Sequence, residues 1–477
     1  MMLSRRMIGS LAMTWLPFAD AASEELPLRQ LLRLSLFQVS VGMAQVLLLG
    51  TLNRVMILEL GVPALVVAAM ISIPVLVAPF RAILGHRSDT YRSALGWKRV
   101  PYLWFGSLWQ MGGLALMPFS LILLSGDQTM GPDWAGEAFA AVAFLMAGLG
   151  MHMTQTAGLA LAADRATEET RPQVVALLYV MFLVGMGISA VIVGWLLRDF
   201  DQITLIRVVQ GCGAMTLVLN VIALWKQEVM RPMTKAEREA PRQSFREAWR
   251  LLAAETGALR LLATVMVGTL AFSMQDVLLE PYGGQVLGLK VGQTTWLTAG
   301  WSFGALVGFI WSARRLAQGA VAHRIAARGL LVGIVAFTTV LFSALFASKV
   351  LFFASAMGIG LGSGMFGIAT LTVAMMVVVR GASGIALGAW GAAQATAAGL
   401  AVFIGGATRD LVAHAAAAGY LGSLHSPALG YTVVYVTEIG LLFITLAVLG
   451  PLVRPGSLFP KKPEAGEARI GLAEFPT

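Results

Sequence analysis

GHRSDTYRSALGWKRVPYLWFG, at Gly85–Gly106, sets a cluster of charges directly against an apolar run. The same juxtaposition recurs in QTAGLALAADRA at Gln155–Ala166 and in FSMQDVLLEPYGGQVLGL at Phe272–Leu289. Each apolar stretch is long enough to cross a bilayer. A charged side chain at the bilayer centre costs about 2.5–3.5 kcal/mol on insertion scales, so it needs a partner or a task. Outward from these runs the chain stays greasy: 57% of its 477 residues are hydrophobic and only 12% are charged. Soluble domains carry about 25% charged residues. Apolar runs of roughly 20 residues, the length a helical span requires, recur throughout. The pattern predicts an all-α, polytopic membrane protein.

Twelve spans are expected, at 34–58, 63–84, 101–124, 138–161, 174–197, 204–225, 259–282, 294–314, 326–347, 350–379, 385–408 and 430–452. The net charge of +9 invites a nucleic-acid reading, but its distribution excludes one. Arg and Lys gather in alternate loops: Arg81, Arg87, Arg92, Lys98 and Arg99 after the second span, the stretch Lys226–Arg260, and Arg314, Arg315, Arg324 and Arg328 near the eighth. The positive-inside rule then places both termini in the cytoplasm. Arg5-Arg6 followed by Met7–Phe18 has the outline of a signal peptide. Pro17 and weak hydrophobicity favour instead an interfacial helix with Trp15 and Phe18 dipping into the membrane. Cys212 is the single cysteine, so no disulfide forms within the chain.

The basic stretch at 226–258 divides two sets of six spans. The expected organisation is an N-terminal cytoplasmic or interfacial segment (1–33), a six-helix bundle (34–225), the central loop (226–258), a second bundle (259–452) and a cytoplasmic tail (453–477). An internal repeat supports the division. Gly194-Trp195-Leu196-Leu197-Arg198-Asp199 is echoed by Gly405-Gly406-Ala407-Thr408-Arg409-Asp410. Gly148-Leu149-Gly150 with Met153 is echoed by Gly360-Leu361-Gly362 with Met365. Two parallel, pseudo-symmetric six-helix bundles are the architecture of the major facilitator superfamily, which the chain resembles.

Several groups could carry function. Gly85, Asp89, Arg92, Lys98 and Arg99 resemble that superfamily's loop latch, with about four extra residues after the aspartate; Asp164-Arg165 would be its partner. The bland alternative is positive-inside charge with a helix cap. Aligning Arg54-Val55 with Asp276-Val277 makes the first and seventh spans repeat mates. Arg54 is then expected to pair with Asp276 or Glu280 between the bundles, Asp276 and Glu280 being one helical turn apart. A proton-coupling carboxylate is the functional alternative. His152 lies inside a span with Gln155 one turn on; its imidazole is either a hydrogen-bonded packing residue or an axial ligand for a chlorophyll Mg²⁺. Gln45, Gln110, Gln275 and Gln394 should face the interior. His86 and His323 fall in basic loops. No phosphate-cradling loop, no His-Glu-x-x-His and no pair of aspartates four positions apart is present. The last is what a membrane prenyltransferase would need to hold Mg²⁺-diphosphate.

The three opening runs, with LPFADAA at Leu16–Ala22, ELPLRQLLRLSLFQVSVGM at Glu25–Met43 and NRVMILELGVPA at Asn53–Ala64, closely resemble the PucC/LhaA family of purple phototrophic bacteria. The resemblance runs from Leu16 to about Leu452. It implies a non-enzymatic assembly factor for light-harvesting complexes, located in the inner, intracytoplasmic photosynthetic membrane. It further implies bacteriochlorophyll as ligand, with carotenoid as a further candidate, and His152 and Gln155 as the pigment-binding residues. Antenna polypeptides, pigment synthase, the protein-insertion machinery and membrane lipids are the implied partners. The extended N-terminus and the basic tail (Arg454, Lys461, Lys462, Arg469) look more like the LhaA branch, serving the core antenna, than the PucC branch, serving the peripheral one. A secondary transporter of a small solute or pigment precursor is the alternative from the fold.

Overall fold

The computed structural model describes residues 21–23, 26–76, 97, 99–125, 132, 134–167, 170–228, 250, 252–254, 257–376, 383–421, 426 and 428–453. The first bundle comprises α1 (Leu28–Glu59), α2 (Ala64–Leu76), α3 (Val100–Leu124), α4 (Ala135–Arg165), α5 (Arg171–Leu196) and α6 (Gln202–Leu224). The second comprises α7 (Ala258–Ser273), α8 (Leu279–Leu287), α9 (Val291–Ala317), α10 (Ala322–Leu345), α11 (Lys349–Met376), α12 (Ser383–Ala417) and α13 (Leu429–Val453). Over their described residues, the twelve expected spans coincide with these helices. Ten, counting α7 with the short turn after it, are long and apolar enough to cross a membrane. The other two are α2, described over 13 residues, and α9, whose wall carries Gln293, Thr294, Thr295, Thr298 and Ser302. Helix is the form these segments take because lipid offers no partner to a backbone N–H or C=O. Large apolar side chains such as Trp104, Phe105, Trp109 and Phe119 of α3 remain exposed on the bundle surface, as a hydrocarbon solvent allows.

Packing repeats with the sequence. α3 lies on α4 as α10 lies on α11, α2 on α4 as α9 on α11, and α3 on α6 as α10 on α13. Between bundles, α5 meets α9 and α2 meets α12, two seams related by the same pseudo-twofold. The glycine echoes explain how these helices approach. A Cβ on Gly148 would lie 2.5 Å from Pro74 of α2, while its mate Gly360 faces the Trp301 carbonyl of α9. Gly150 faces Gln110 of α3 and Gly362 faces Gly329 of α10. Gly194 abuts Gly292 at one seam and Gly406 abuts Ala64 at the other. The matched pairs Gly148/Gly360 and Gly150/Gly362 thus meet symmetry-equivalent neighbours, whereas Gly405, the sequence mate of Gly194, meets the Met274 carbonyl and leaves the second seam to Gly406.

Two departures from the sequence reading matter. α1 starts at Leu28 rather than 34; Leu31 and Leu34 are fully buried, so this part of the N-terminal segment belongs to the bundle. The seventh span is discontinuous: α7 ends at Ser273, a 3₁₀ turn covers Met274–Val277, and α8 follows. Its repeat mate α1 is irregular at the matching level, with π-helical turns at Val46–Thr51 and Val55–Glu59. Inserted π turns cluster at functional sites. α8 is held to its bundle by Tyr282, fully enclosed, with ring centroids 5.3 Å from both Phe352 and Tyr435 and 5.4 Å from Tyr431.

Candidate functional site: a cavity between the bundles

A cavity of about 440 Å³ lies between the two bundles, in the size range of small-molecule sites. α1, α2, α4 and α5 form one wall; α7, α9, α11 and α12 form the other. Most of the lining is apolar, with Phe144, Phe182, Phe272, Trp301 and Trp390 prominent. The polar groups are Gln45, His152, Gln155, Tyr179, Thr269, Ser273, Asp276, Ser363 and Gln394.

His152 and Gln155 therefore reach one cavity, as their spacing on a single helix face predicts. His152 is only 9% exposed, and Gln155 is 3.5 Å from Gln38 of α1. Gln45 and Gln394 also face the cavity. Gln110 does not: it donates to the Ser40 carbonyl (3.0 Å) inside the first bundle, beside a Ser40–Asn220–Ser107 chain with bonds of 2.8 Å. His323, expected in a loop, is buried at the start of α10 because that helix begins at Ala322.

The charges of Arg54 and Glu280 interact, but the ion-pair contact of Arg54 is with a different acid. Arg54 bonds Glu59 Oε1 at 2.5 Å and the Leu289 carbonyl at 3.2 Å. Among the described residues neither Asp276 nor Glu280 forms an ion pair with Lys or Arg. The π turn over Val55–Glu59 is the reason. Residues five apart do not face each other on an α-helix, but a π-helix closes i→i+5. Arg54 still crosses between bundles, since Leu289 follows α8.

The break in the seventh span accounts for two further side chains, and the end of α8 accounts for Arg54. A discontinuous helix in a bilayer leaves N–H and C=O groups that must find partners. Glu438 of α13, fully buried, accepts the Gln275 N–H at 2.7 Å. Asn53 of α1 donates to the Val277 carbonyl at 2.7 Å. Arg54 serves the carbonyl of Leu289, the end of the same segment. Sequence reasoning missed Glu59 and Glu438. The signal for Glu438 was a lone acid within an apolar run, but nothing near it in sequence names its partner.

Hydrogen bonds between the bundles gather at one end of the cavity. Thr51 meets Thr295 at 3.1 Å, Trp296 donates to the Val191 carbonyl at 3.2 Å, and Asp410 accepts the Leu65 N–H at 2.7 Å. With the glycine seams at Gly194 and Gly406, they close the end where α1 finishes and α9 begins.

At the other end of the first bundle, Arg99 Nε meets Asp164 at 2.9 Å. Glu228 caps α3 through the Arg99 and Val100 N–H groups. Arg165 bonds Gln227 and Gln30. The structure thus brings Arg99 and Asp164 together, with Arg165 alongside; Gly85, Asp89, Arg92 and Lys98 lie outside the described residues.

A family model described as PUCC protein matches residues 51–457. An uncharacterized protein in the puhA-bchM intergenic region of Rhodobacter capsulatus is 97% identical over 477 residues, all of both chains. Protein PucC of Rhodovulum sulfidophilum is 52% identical over 410 residues, 85% of this chain and 90% of that one. Among solved structures, a bacterial homolog of the lysosomal transporter Spinster, inward-facing and unoccupied, superposes with a TM-score of 0.66 at 15% identity, covering 88% of this chain and 95% of that one. A point mutant of the nucleoside transporter NupG gives a TM-score of 0.64 at 13% identity, covering 89% of this chain and all of the other. The fold is that of the major facilitator superfamily.

Proposed function

We propose that this chain, which belongs to the PUCC protein family, assists assembly of light-harvesting complexes, holding bacteriochlorophyll for newly inserted antenna polypeptides. The cavity between the bundles carries this reading: largely apolar walls enclose one imidazole, His152, with carboxamides at Gln155, Gln45 and Gln394. A chlorophyll is a flat apolar ring whose Mg²⁺ takes one axial ligand, and a neutral imidazole is such a ligand. Gln155 would orient a polar ring substituent, and the aromatic walls would keep water from the ring. A carotenoid would suit the same apolar walls. The core antenna is the preferred client, supported by 97% identity to the puhA-bchM intergenic protein against 52% to a PucC protein. The setting is the intracytoplasmic photosynthetic membrane with both termini cytoplasmic, where basic loops meet anionic lipid, pigment synthase and insertion machinery. No catalytic step is assigned to the chain.

Purification in mild detergent followed by absorption spectroscopy tests the reading. Near-infrared bacteriochlorophyll bands should copurify with the wild type and fall at least several-fold in His152→Leu. Equal pigment in both proteins would remove His152 as the ligand, and no pigment in either would remove the holding role.

A second reading, a transporter of a small solute or pigment precursor, is favoured by one observation. Asp276 faces the cavity, and no Lys or Arg pairs with it among the described residues. Solute uptake into vesicles that depends on the protein and is lost in Asp276→Asn would establish it.

A further inference from the structure

Beside the main cavity lies a smaller pocket of about 70 Å³, with Gln45, Leu49, Asp276 and Trp301 shared between the two. Its walls carry two carboxylates, Asp276 and Glu280, with oxygen donors from Gln45, Gln275 and Thr298. Glu280 is 3% exposed; its Oε1 accepts from Thr298 at 2.7 Å, while its Oε2 is buried without a hydrogen-bond partner. Gln275 is 2% exposed, and its Oε1 is likewise buried without one. Asp276 Oδ1 accepts from the Gln275 amide. Arg54 bonds Glu59 and Leu289, and its charge also reaches Glu280 without an ion-pair contact. Space for the Glu280 head comes from Gly50 in the first π turn of α1, where any Cβ would collide with Oε1.

We propose that this annex binds one small monovalent cation, Na⁺ or a proton. Enclosed Glu280 and half-buried Asp276, one turn apart, repel one another when both are ionised, and the one cation acting on Glu280, Arg54, is shared with Glu59, so the charge here requires further compensation. The unfilled acceptors are all oxygens, the donors a hard cation selects. The volume suits a few waters, or one ion with its coordinating oxygens. Because Asp276 and Trp301 belong to both compartments, a cation in the annex would alter the charge and wall of the main cavity. Cation occupancy would thereby be linked to whatever ligand that cavity holds.

The test uses the purified full chain in detergent, read by tryptophan fluorescence against a Trp301→Phe control that reports the signal from that ring. NaCl is titrated against KCl at constant ionic strength, and pH is then varied without Na⁺. A saturable change with Na⁺ and not K⁺ assigns the site to Na⁺; a change with pH alone assigns it to a proton. Glu280→Gln, and Gly50→Ala, whose added Cβ pushes the Glu280 head aside while keeping both acids in the chain, should each raise the half-saturating concentration at least about tenfold. Either variant suffices if the other fails to fold. No response of the wild type to either cation, or a response unchanged in the folded variants, overturns the proposal. The pigment content of the same preparations is a separate readout, so the cation site and the pigment reading can fail independently.

Discussion

Glu438 and Asn53 share a task that their separate positions conceal: each satisfies a backbone group freed where the seventh span breaks, while Arg54 serves the carbonyl of Leu289 just past the end of α8. Glu438→Leu would leave the Gln275 N–H buried without an acceptor, at a cost of about 1–3 kcal/mol. The expected outcome is a lower thermal unfolding midpoint in detergent. Glu438→Gln retains an oxygen acceptor and should recover most of the loss. An unchanged midpoint in Glu438→Leu would show that the break does not need this acid. Arg54→Leu should also destabilise, by about 1–3 kcal/mol, because the Leu289 carbonyl loses its donor. Glu59 is 38% exposed and can turn to solvent, so Glu59→Gln should cost under about 1 kcal/mol. Thermal midpoints of the two variants, compared in one detergent, check that order.

At the scale of helices, the glycines that sit at repeat-matched positions set how closely neighbouring elements pack. Gly360→Val would drive a side chain into the Trp301 carbonyl of α9. Overpacking of this kind costs about 1–3 kcal/mol, and here the clash is with backbone rather than a movable side chain. Reduced accumulation in membranes and a lowered unfolding midpoint are expected. Gly440→Ala, where an added Cβ meets open space, should behave as wild type. Equal behaviour of the two variants would refute the close-approach role. The irregular turns of α1 and the seventh span belong to this scale too. They aim Glu280 and Asp276 into the annex and bring Glu59 to Arg54, arrangements that an unbroken α-helix would not make.

Taken as a whole, the molecule is tied together at the end where α1 finishes, while the cavity extends toward the opposite end of the bundles. The proposed orientation, with both termini cytoplasmic, predicts that a water-soluble thiol reagent reaches Gln394→Cys from the cytoplasmic side, in a Cys212→Ala background that removes the native thiol. Inside-out membrane vesicles should label and intact spheroplasts should not. Labelling only in spheroplasts would reverse the orientation or the closed end. The same preparation tests whether pigment occupies the cavity, since bound pigment should protect the introduced thiol.

Span number, the division into two bundles and the symmetry between them were legible from residue order, because hydrocarbon demands long apolar runs and a repeat leaves matched glycines. His152 and Gln155 were legible as one face because three residues nearly complete a helical turn. The partner of Arg54 was not, since an α-helical spacing rule does not foresee a π turn. Glu438 and the annex were beyond reach for a related reason. They exist where a helix of one bundle stops being a helix, and the groups that answer its open hydrogen bonds come from α1 and α13, hundreds of residues apart in the chain. Local periodicity records which face is buried; only the packed bundles bring together the atoms that share that burial.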